Sequence, residues 1–137
     1  MAFLLDTNVV SEMRKSRPDR NVVAWFRDNS AAVAYISVLV VGEIRRGIEL
    51  TRPGDQGRAD ALDSWLDQLV KVYQDRVLPV SVAAAEEWGR LLAVPQPPPV
   101  VDALMAATAK AHRLTLVTRN VKDVERTGVA VVNPFEN

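Results

Sequence analysis

Short apolar runs alternate with longer segments of helical period along this 137-residue chain. Ala2-Phe3-Leu4-Leu5 is an apolar run that stops at Asp6-Thr7-Asn8, a polar cluster of the kind that caps helices and forms turns. The boundary predicts a buried strand and then a helix over about Val9–Lys15. Ser16-Arg17-Pro18-Asp19 breaks that helix. Val22, Val23 and Phe26 share one face of a second short helix over Asn21–Asp28. Ala32–Ser37 is β-branched and aromatic enough for a second strand, and Ser37 can cap a helix over about Val38–Leu50 with Val41, Ile44 and Ile48 along one stripe. After the loop Thr51–Asp55, Leu62, Trp65, Leu66, Leu69 and Val72 mark an amphipathic helix over Ala59–Val72.

The second half repeats the alternation. Arg76–Val80 is short and apolar, and Pro79 makes it a strand end or an edge. Ser81 looks like the cap of a helix to about Leu92, and Pro95–Pro99 stops it. Asp102–His112 is alanine-rich and helical, Leu114–Thr118 a strand, Asn120–Gly128 a turn or short helix, and Val129–Val132 a last strand closed by Asn133-Pro134. Strands alternating with helices predict an α/β fold, with a parallel sheet covered by helices on both faces. The strands are nearly all apolar, as doubly buried strands are. There is no internal repeat and no linker, so residues 1–137 are expected to form a single domain.

Composition narrows the chemistry. Apolar residues make up 48% and charged residues 25%, as in ordinary globular domains. With 0 Cys there is no disulfide, no thiolate zinc site and no cysteine nucleophile. With 1 His, a metal site must be built mainly from oxygen, which suits Mg²⁺ or Mn²⁺ and not Zn²⁺. No G-x-S-x-G elbow is present. Lys plus Arg (17) balance Asp plus Glu (17), so a nucleic-acid site has to be a local patch. No apolar run approaches the ~20 residues of a membrane span, and no secretory signal opens the chain; a cytoplasmic protein is expected.

In an open parallel sheet the working site lies at the carboxyl ends of the strands. Asp6, Thr7 and Asn8 follow the first strand. Ser37 follows the second, with Glu43 further into its helix. Thr118, Arg119 and Asn120 follow the fourth, with Asp123 one turn later, and Asp102 opens the helix leading into it. Three acids and an amide can thus converge on one sheet edge. Two bare carboxylates at about 4 Å repel by roughly 4 kcal/mol at an effective dielectric of ~20, so such a cluster shares protons or binds a cation.

Each of these residues also has a structural explanation. Asp6 and Asp102 can be helix caps. Glu43 can pair with Arg46 at i+3, although its neighbours Val40, Val41 and Ile44 form an apolar setting that an ion pair does not need. Asn120 and Asp123 imitate a capping box. His112 suits a helix C-terminus. Trp25, Trp65 and Trp88 are spaced as helix-face residues. Arg14, Lys15, Arg17 and Arg20, with Arg45, Arg46, Arg52 and Arg119, are either solvated faces or phosphate contacts.

Four segments in order, LLDTNVVSE at Leu4–Glu12, VGEIRRG at Val41–Gly47, DALMAATAKAH at Asp102–His112 and VTRNVKDV at Val117–Val124, resemble those of PIN-domain ribonucleases, most closely the VapC/FitB-like toxins of toxin–antitoxin pairs. The tail VAVVNPFEN is similar as well. The resemblance implies a PIN-like fold with a central five-stranded parallel sheet. It also implies a Mg²⁺- or Mn²⁺-dependent endoribonuclease acting on RNA, usually a homodimer, neutralised by a cognate antitoxin. Asp6, Glu43 and Asp102 match the family's three acids. Asn120 falls on the fourth position, where many members carry Asp; it keeps a carbonyl ligand but brings no charge. Asp123 and Thr7 are possible supporting groups. A groove near Glu43–Leu50 and Ala59–Val72 is a candidate seat for the antitoxin. Two alternatives stay open: a non-catalytic PIN-like module that holds RNA or a partner, and a haloacid-dehalogenase-type phosphatase. The latter requires a second Asp where this chain has Asn8.

Overall fold

The computed structural model describes residues 1–136. The chain runs β1 (Ala2–Leu5), α1 (Thr7–Arg14), α2 (Arg20–Asp28), β2 (Val33–Ser37), α3 (Val38–Thr51), α4 (Gln56–Tyr73), β3 (Val77–Leu78), α5 (Val82–Leu92), α6 (Val100–Ala111), β4 (Thr115–Val117), α7 (Val121–Val124) and β5 (Val131–Val132). The strands form one five-stranded sheet in the order β3-β2-β1-β4-β5, every pairing parallel. Leu4 stands opposite Tyr35 on one side and Leu116 on the other. This is the α/β architecture expected from the alternation.

The topology fixes where a site can form. From β1 the chain steps outward through β2 to β3. It then returns past β1 to lay down β4 and finally β5. Right-handed crossovers put α1–α4 on one face and α5–α6 on the other. Connections leaving β1 and β4 therefore diverge, and a crevice opens at their carboxyl ends.

The sheet is doubly buried. Leu4, Leu5, Ile36, Leu116 and Val117 are essentially inaccessible, with Met105 and Ala106 of α6 in the same core. Each large buried side chain contributes roughly 1.5–3 kcal/mol. Phe3 and Trp25 pack edge to face at 4.9 Å, bringing α2 against β1. Small residues along α6, Ala103, Ala106, Ala107 and Ala109, are wholly buried and let it lie close to its neighbours. Gly128, at φ +80°, closes a 3₁₀ turn over Glu125–Thr127 in the left-handed region.

Four helices start earlier than the pattern suggests: α2 by one residue, at Arg20, and three others by two or more, each for a local reason. α1 begins at Thr7 because Asp6 itself caps it, taking the Thr7 amide at 2.8 Å. α4 begins at Gln56 because Asp55 accepts from the Arg58 amide at 3.0 Å. α6 begins at Val100, so Asp102 is its third residue and not its cap. Val100 and Val101 are exposed β-branched residues directly after prolines and read as extended chain. β3 is a two-residue edge strand that ends at Pro79, and β5 is shorter than Val129–Val132.

Candidate active site

Asp6 directly follows β1 and continues its ladder, donating its amide to Val117 O at 2.9 Å. Its carboxylate is buried at 6% exposure and held from three sides. Oδ1 accepts from the Thr7 amide at 2.8 Å. Oδ2 accepts from Thr118 Oγ1 at 2.6 Å and from Asn8 Nδ2 at 3.4 Å. Thr118 itself is buried and accepts from the amide of Asn120 at 3.0 Å and from Asn8 Nδ2 at 3.4 Å. Asn8 Oδ1 takes the amide of Arg119 at 3.2 Å. The ends of β1 and β4 are thus laced together around one carboxylate.

Glu43 lies on α3, whose start is fixed by Ser37 Oγ accepting from the Leu39 amide at 3.1 Å. The apolar setting expected for Glu43 is not observed: the side chain is exposed, because Val40 and Ile44 turn inward while Glu43 turns out. Nor does it pair with Arg46. Its Oε1 accepts from Thr7 Oγ1 at 2.7 Å, so Thr7 orders Glu43 with its hydroxyl and Asp6 with its amide.

Asp102 projects from the first turn of α6 and is half-buried. Burial pushes its carboxyl above the ordinary aspartate range. The negative charges of Asp6, Asp123 and Glu43 push it further, against a smaller opposing pull from Asn120. All four acids therefore act on one field, with Asn120 beside Asp102. The capping-box alternative is absent: no side-chain cap bond forms at Asn120, whose carbonyl alone receives the Asp123 amide.

Among the described residues, none of Asp6, Glu43, Asp102 and Asp123 has a basic partner; the ion pairs lie elsewhere. No three acidic side chains among those residues close into a compact ligand shell. The donor set is all oxygen, negative and unneutralised, which fits a hard divalent cation that keeps part of its water. Asp6, Glu43, Asp102 and the Asn120 carbonyl are the groups that would hold it.

A family model for the PIN domain matches residues 3–129. The chain belongs to the PIN-domain family. This PIN domain is 32% identical to the VapC ribonuclease Y4jK of Sinorhizobium fredii, over 98% of each chain. It is also 32% identical to toxin FitB of Neisseria gonorrhoeae, over 98% of this chain and 99% of that one. The crystal structure of FitAcB from Neisseria gonorrhoeae superposes with a TM-score of 0.86 at 30% identity, covering 98% of this chain and 99% of that chain.

A groove leaves the acids of this PIN domain between α1, α3 and α4. Its first hollow, about 210 Å³, is lined by Thr7, Glu43, Ile44, Ile48, Leu62 and Trp65. A second of about 210 Å³ continues past Arg14 and Trp65 to Met13, Phe26 and Tyr73. A larger hollow of about 650 Å³, beside Arg90, Pro95 and Arg126, touches none of the acids.

Three of the eight candidate phosphate contacts are already engaged by acids. Arg45 pairs with Asp63 at 2.8 Å and Glu49 at 3.3 Å. Arg52 reaches Glu49, Asp60 and Asp63, and Lys15 reaches Glu12 at 2.9 Å. Arg14 lies over Trp65, 5.8 Å from the ring centre. Sequence reasoning passed over Thr118 and Asn8 as site residues. Their only signal was position, directly after β4 and two residues after the first acid.

Proposed function

We propose that this chain is a Mg²⁺- or Mn²⁺-dependent endoribonuclease of the toxin type, restrained by a cognate antitoxin. The observation that carries the reading is the convergence of Asp6, Glu43 and Asp102, without a basic partner among the described residues, at the crevice between β1 and β4. The charges of Asp6, Asp123 and Glu43 oppose that of Asp102, and a cation bound among them would relieve the opposition. The names of the relatives, a VapC ribonuclease and a FitB toxin, point the same way.

Asp6, Glu43, Asp102 and the Asn120 carbonyl would hold a divalent ion, which would supply water activation and charge neutralisation at the scissile phosphoryl group. The chain's own residues set the stage. Thr118 and the Thr7 amide hold the Asp6 carboxylate in place. The Thr7 hydroxyl fixes Glu43, which would otherwise sample many rotamers on an exposed helix. Asp102 closes the third side, and Asn120 offers a neutral carbonyl. No protein nucleophile is required, in keeping with 0 Cys and 1 His.

Residues 1–137 are read as a single domain that works in the cytoplasm as a homodimer. No helix among the described residues is long and apolar enough to cross a membrane. The antitoxin is assigned to the groove of α1, α3 and α4, where an apolar segment covers Trp65 and Ile48 and a basic side chain reaches Glu43 in place of the cation.

The test is cleavage of labelled structured RNA by the purified chain in Mg²⁺, Mn²⁺ and EDTA, with Asp6→Asn beside it. Cutting that needs the ion and is lost in the variant supports the assignment; equal cutting by Asp6→Asn overturns it. Asn120 favours a second reading, a PIN module that holds RNA without turning it over. RNA binding in EDTA with no cleavage in either ion selects that reading.

A further inference from the structure

Arg119 sits between Thr118 and Asn120, at the rim of the acid site, and its backbone amide is fixed on Asn8 Oδ1 at 3.2 Å. Its guanidinium lies over the ring of Phe135, 4.0 Å from the ring centre. Phe135 is buried at 9% exposure. Its own backbone is pinned at both ends: Asn21 Nδ2 donates to its carbonyl at 2.8 Å, and its amide donates to Asn133 Oδ1 at 3.0 Å. Among the described residues Arg119 has no carboxylate partner within ion-pair distance, unlike Arg45, Arg52 and Lys15. Nearby Glu12 is satisfied by Lys15 at 2.9 Å and by the Asp19 amide at 2.9 Å.

We propose that Arg119, stacked on Phe135, is the phosphate-binding arm that brings single-stranded RNA across the acid site, with Phe135 as its positioning residue. This rests on the nuclease reading above. An acidic crevice repels a polyanion, so a substrate strand needs a cation at its edge. Stacking engages only the flat face of a guanidinium. The N–H groups in its plane stay free for the two-pronged bond that phosphate accepts. The ring also holds the side chain before substrate arrives, so less freedom is lost on binding. Arg14, which lines the hollow beside Thr7 and Glu43, is stacked more loosely, 5.8 Å from the Trp65 ring centre.

The experiment measures fluorescence anisotropy of a labelled single-stranded oligoribonucleotide, in EDTA so that no turnover occurs, across a salt series. Arg119→Ala is expected to bind about tenfold more weakly. Its plot of log affinity against log salt should be shallower by about 0.7, the share of one phosphate on a single strand. Phe135→Leu keeps an apolar side chain in the same place and should bind several-fold more weakly. The double variant Arg119→Ala/Phe135→Leu should bind no worse than Arg119→Ala alone. Wild-type affinity and slope in Arg119→Ala, beside RNA binding by the parent chain, overturn the inference and leave the nuclease reading standing. Lowered thermal midpoints with unchanged affinity in both single variants reduce the stack to a tail latch and likewise overturn it. A parent chain that binds no RNA at any salt removes both readings together.

Discussion

Thr118 donates its hydroxyl to Asp6 Oδ2 at 2.6 Å across 112 residues of sequence, joining the end of the fourth strand to the acid that follows the first. Both groups are buried, at 1% and 6% exposure, so this bond is poorly replaced by water. Thr118→Val removes the donor, keeps the shape, and also strips the Asn120 amide of its acceptor. Loss of one such buried bond costs about 1–2 kcal/mol of stability. Cleavage should fall about 10- to 100-fold as the Asp6 carboxylate loses the bond that aims it. Thr118→Ser, which restores the hydroxyl, should recover most of the rate. Cleavage rates and thermal midpoints of the three proteins check this: a Thr118→Val protein that loses stability but keeps the parental rate would show that the bond is structural only.

The Thr7–Glu43 bond makes a different kind of prediction, because Glu43 is exposed and Thr7 sits at the start of a helix. Thr7→Val leaves the amide on Asp6 intact and frees only Glu43. Stability should change by less than about 1 kcal/mol, since exposed side-chain bonds contribute little. The rate at saturating ion should drop less than tenfold, while the concentration of Mg²⁺ giving half the maximal rate rises. Titrating the ion against cleavage separates this from a general loss of activity. A lowered maximal rate with an unchanged midpoint would assign Thr7 to the chemistry rather than to holding Glu43.

Asp102 gives a prediction in which activity and stability move in opposite directions. Its carboxyl is raised by burial first and then by Asp6, Asp123 and Glu43, so its charge opposes folding. The sign follows from linkage. A carboxyl whose native value lies above its unfolded value destabilises the fold at pH above both, and the penalty vanishes below both. Asp102→Asn should therefore raise the thermal midpoint at neutral pH, with the gain fading on acidification through the ordinary carboxylate range. Cleavage should fall at least ~100-fold. Mg²⁺ or Mn²⁺ should raise the midpoint of the parent chain more than that of the variant. Melting curves at several pH values, with and without the ion, test this; a variant less stable than its parent at neutral pH contradicts it.

The acids were legible because each closes or follows an apolar run, and in a parallel sheet those ends share an edge. Asp6, Glu43 and Asp102 needed no long-range knowledge to be singled out. Their supports did. The Thr118–Asp6 bond depends on β1 and β4 being neighbours, which alternation alone does not specify. The pattern puts the start of α6 at Asp102, two residues late, because Val100 and Val101 after three prolines look like extended chain in sequence. Arg45 and Arg52 are also held by Asp63 across the α3–α4 pair, and no local spacing reveals that Asp63 lies opposite.

Glu12 offers a test of the scaffold beside the site. It is buried on α1 and ties that helix to the start of α2, accepting from Lys15 Nζ at 2.9 Å and from the Asp19 amide at 2.9 Å. The Lys15 hydrogen bond first, then the Asp19 amide, hold its carboxyl below the usual glutamate range against the opposing effect of burial. A depressed native value means the stabilisation is present above the unfolded value, near 4.3, and is lost as pH falls through the native one. Glu12→Gln keeps the size, gives up the charge and should cost about 1 kcal/mol at neutral pH. The gap between the two proteins should close on acidification, since protonated Glu12 is itself neutral. Because Asn8 and Arg119 lie on the same side of α1, one turn nearer the acids, the variant should also lose part of its RNA affinity without a change in the half-saturating Mg²⁺ concentration. Denaturant melts from neutral to acidic pH decide the first part: a gap that persists at low pH would mean that Glu12 contributes by shape and not by charge.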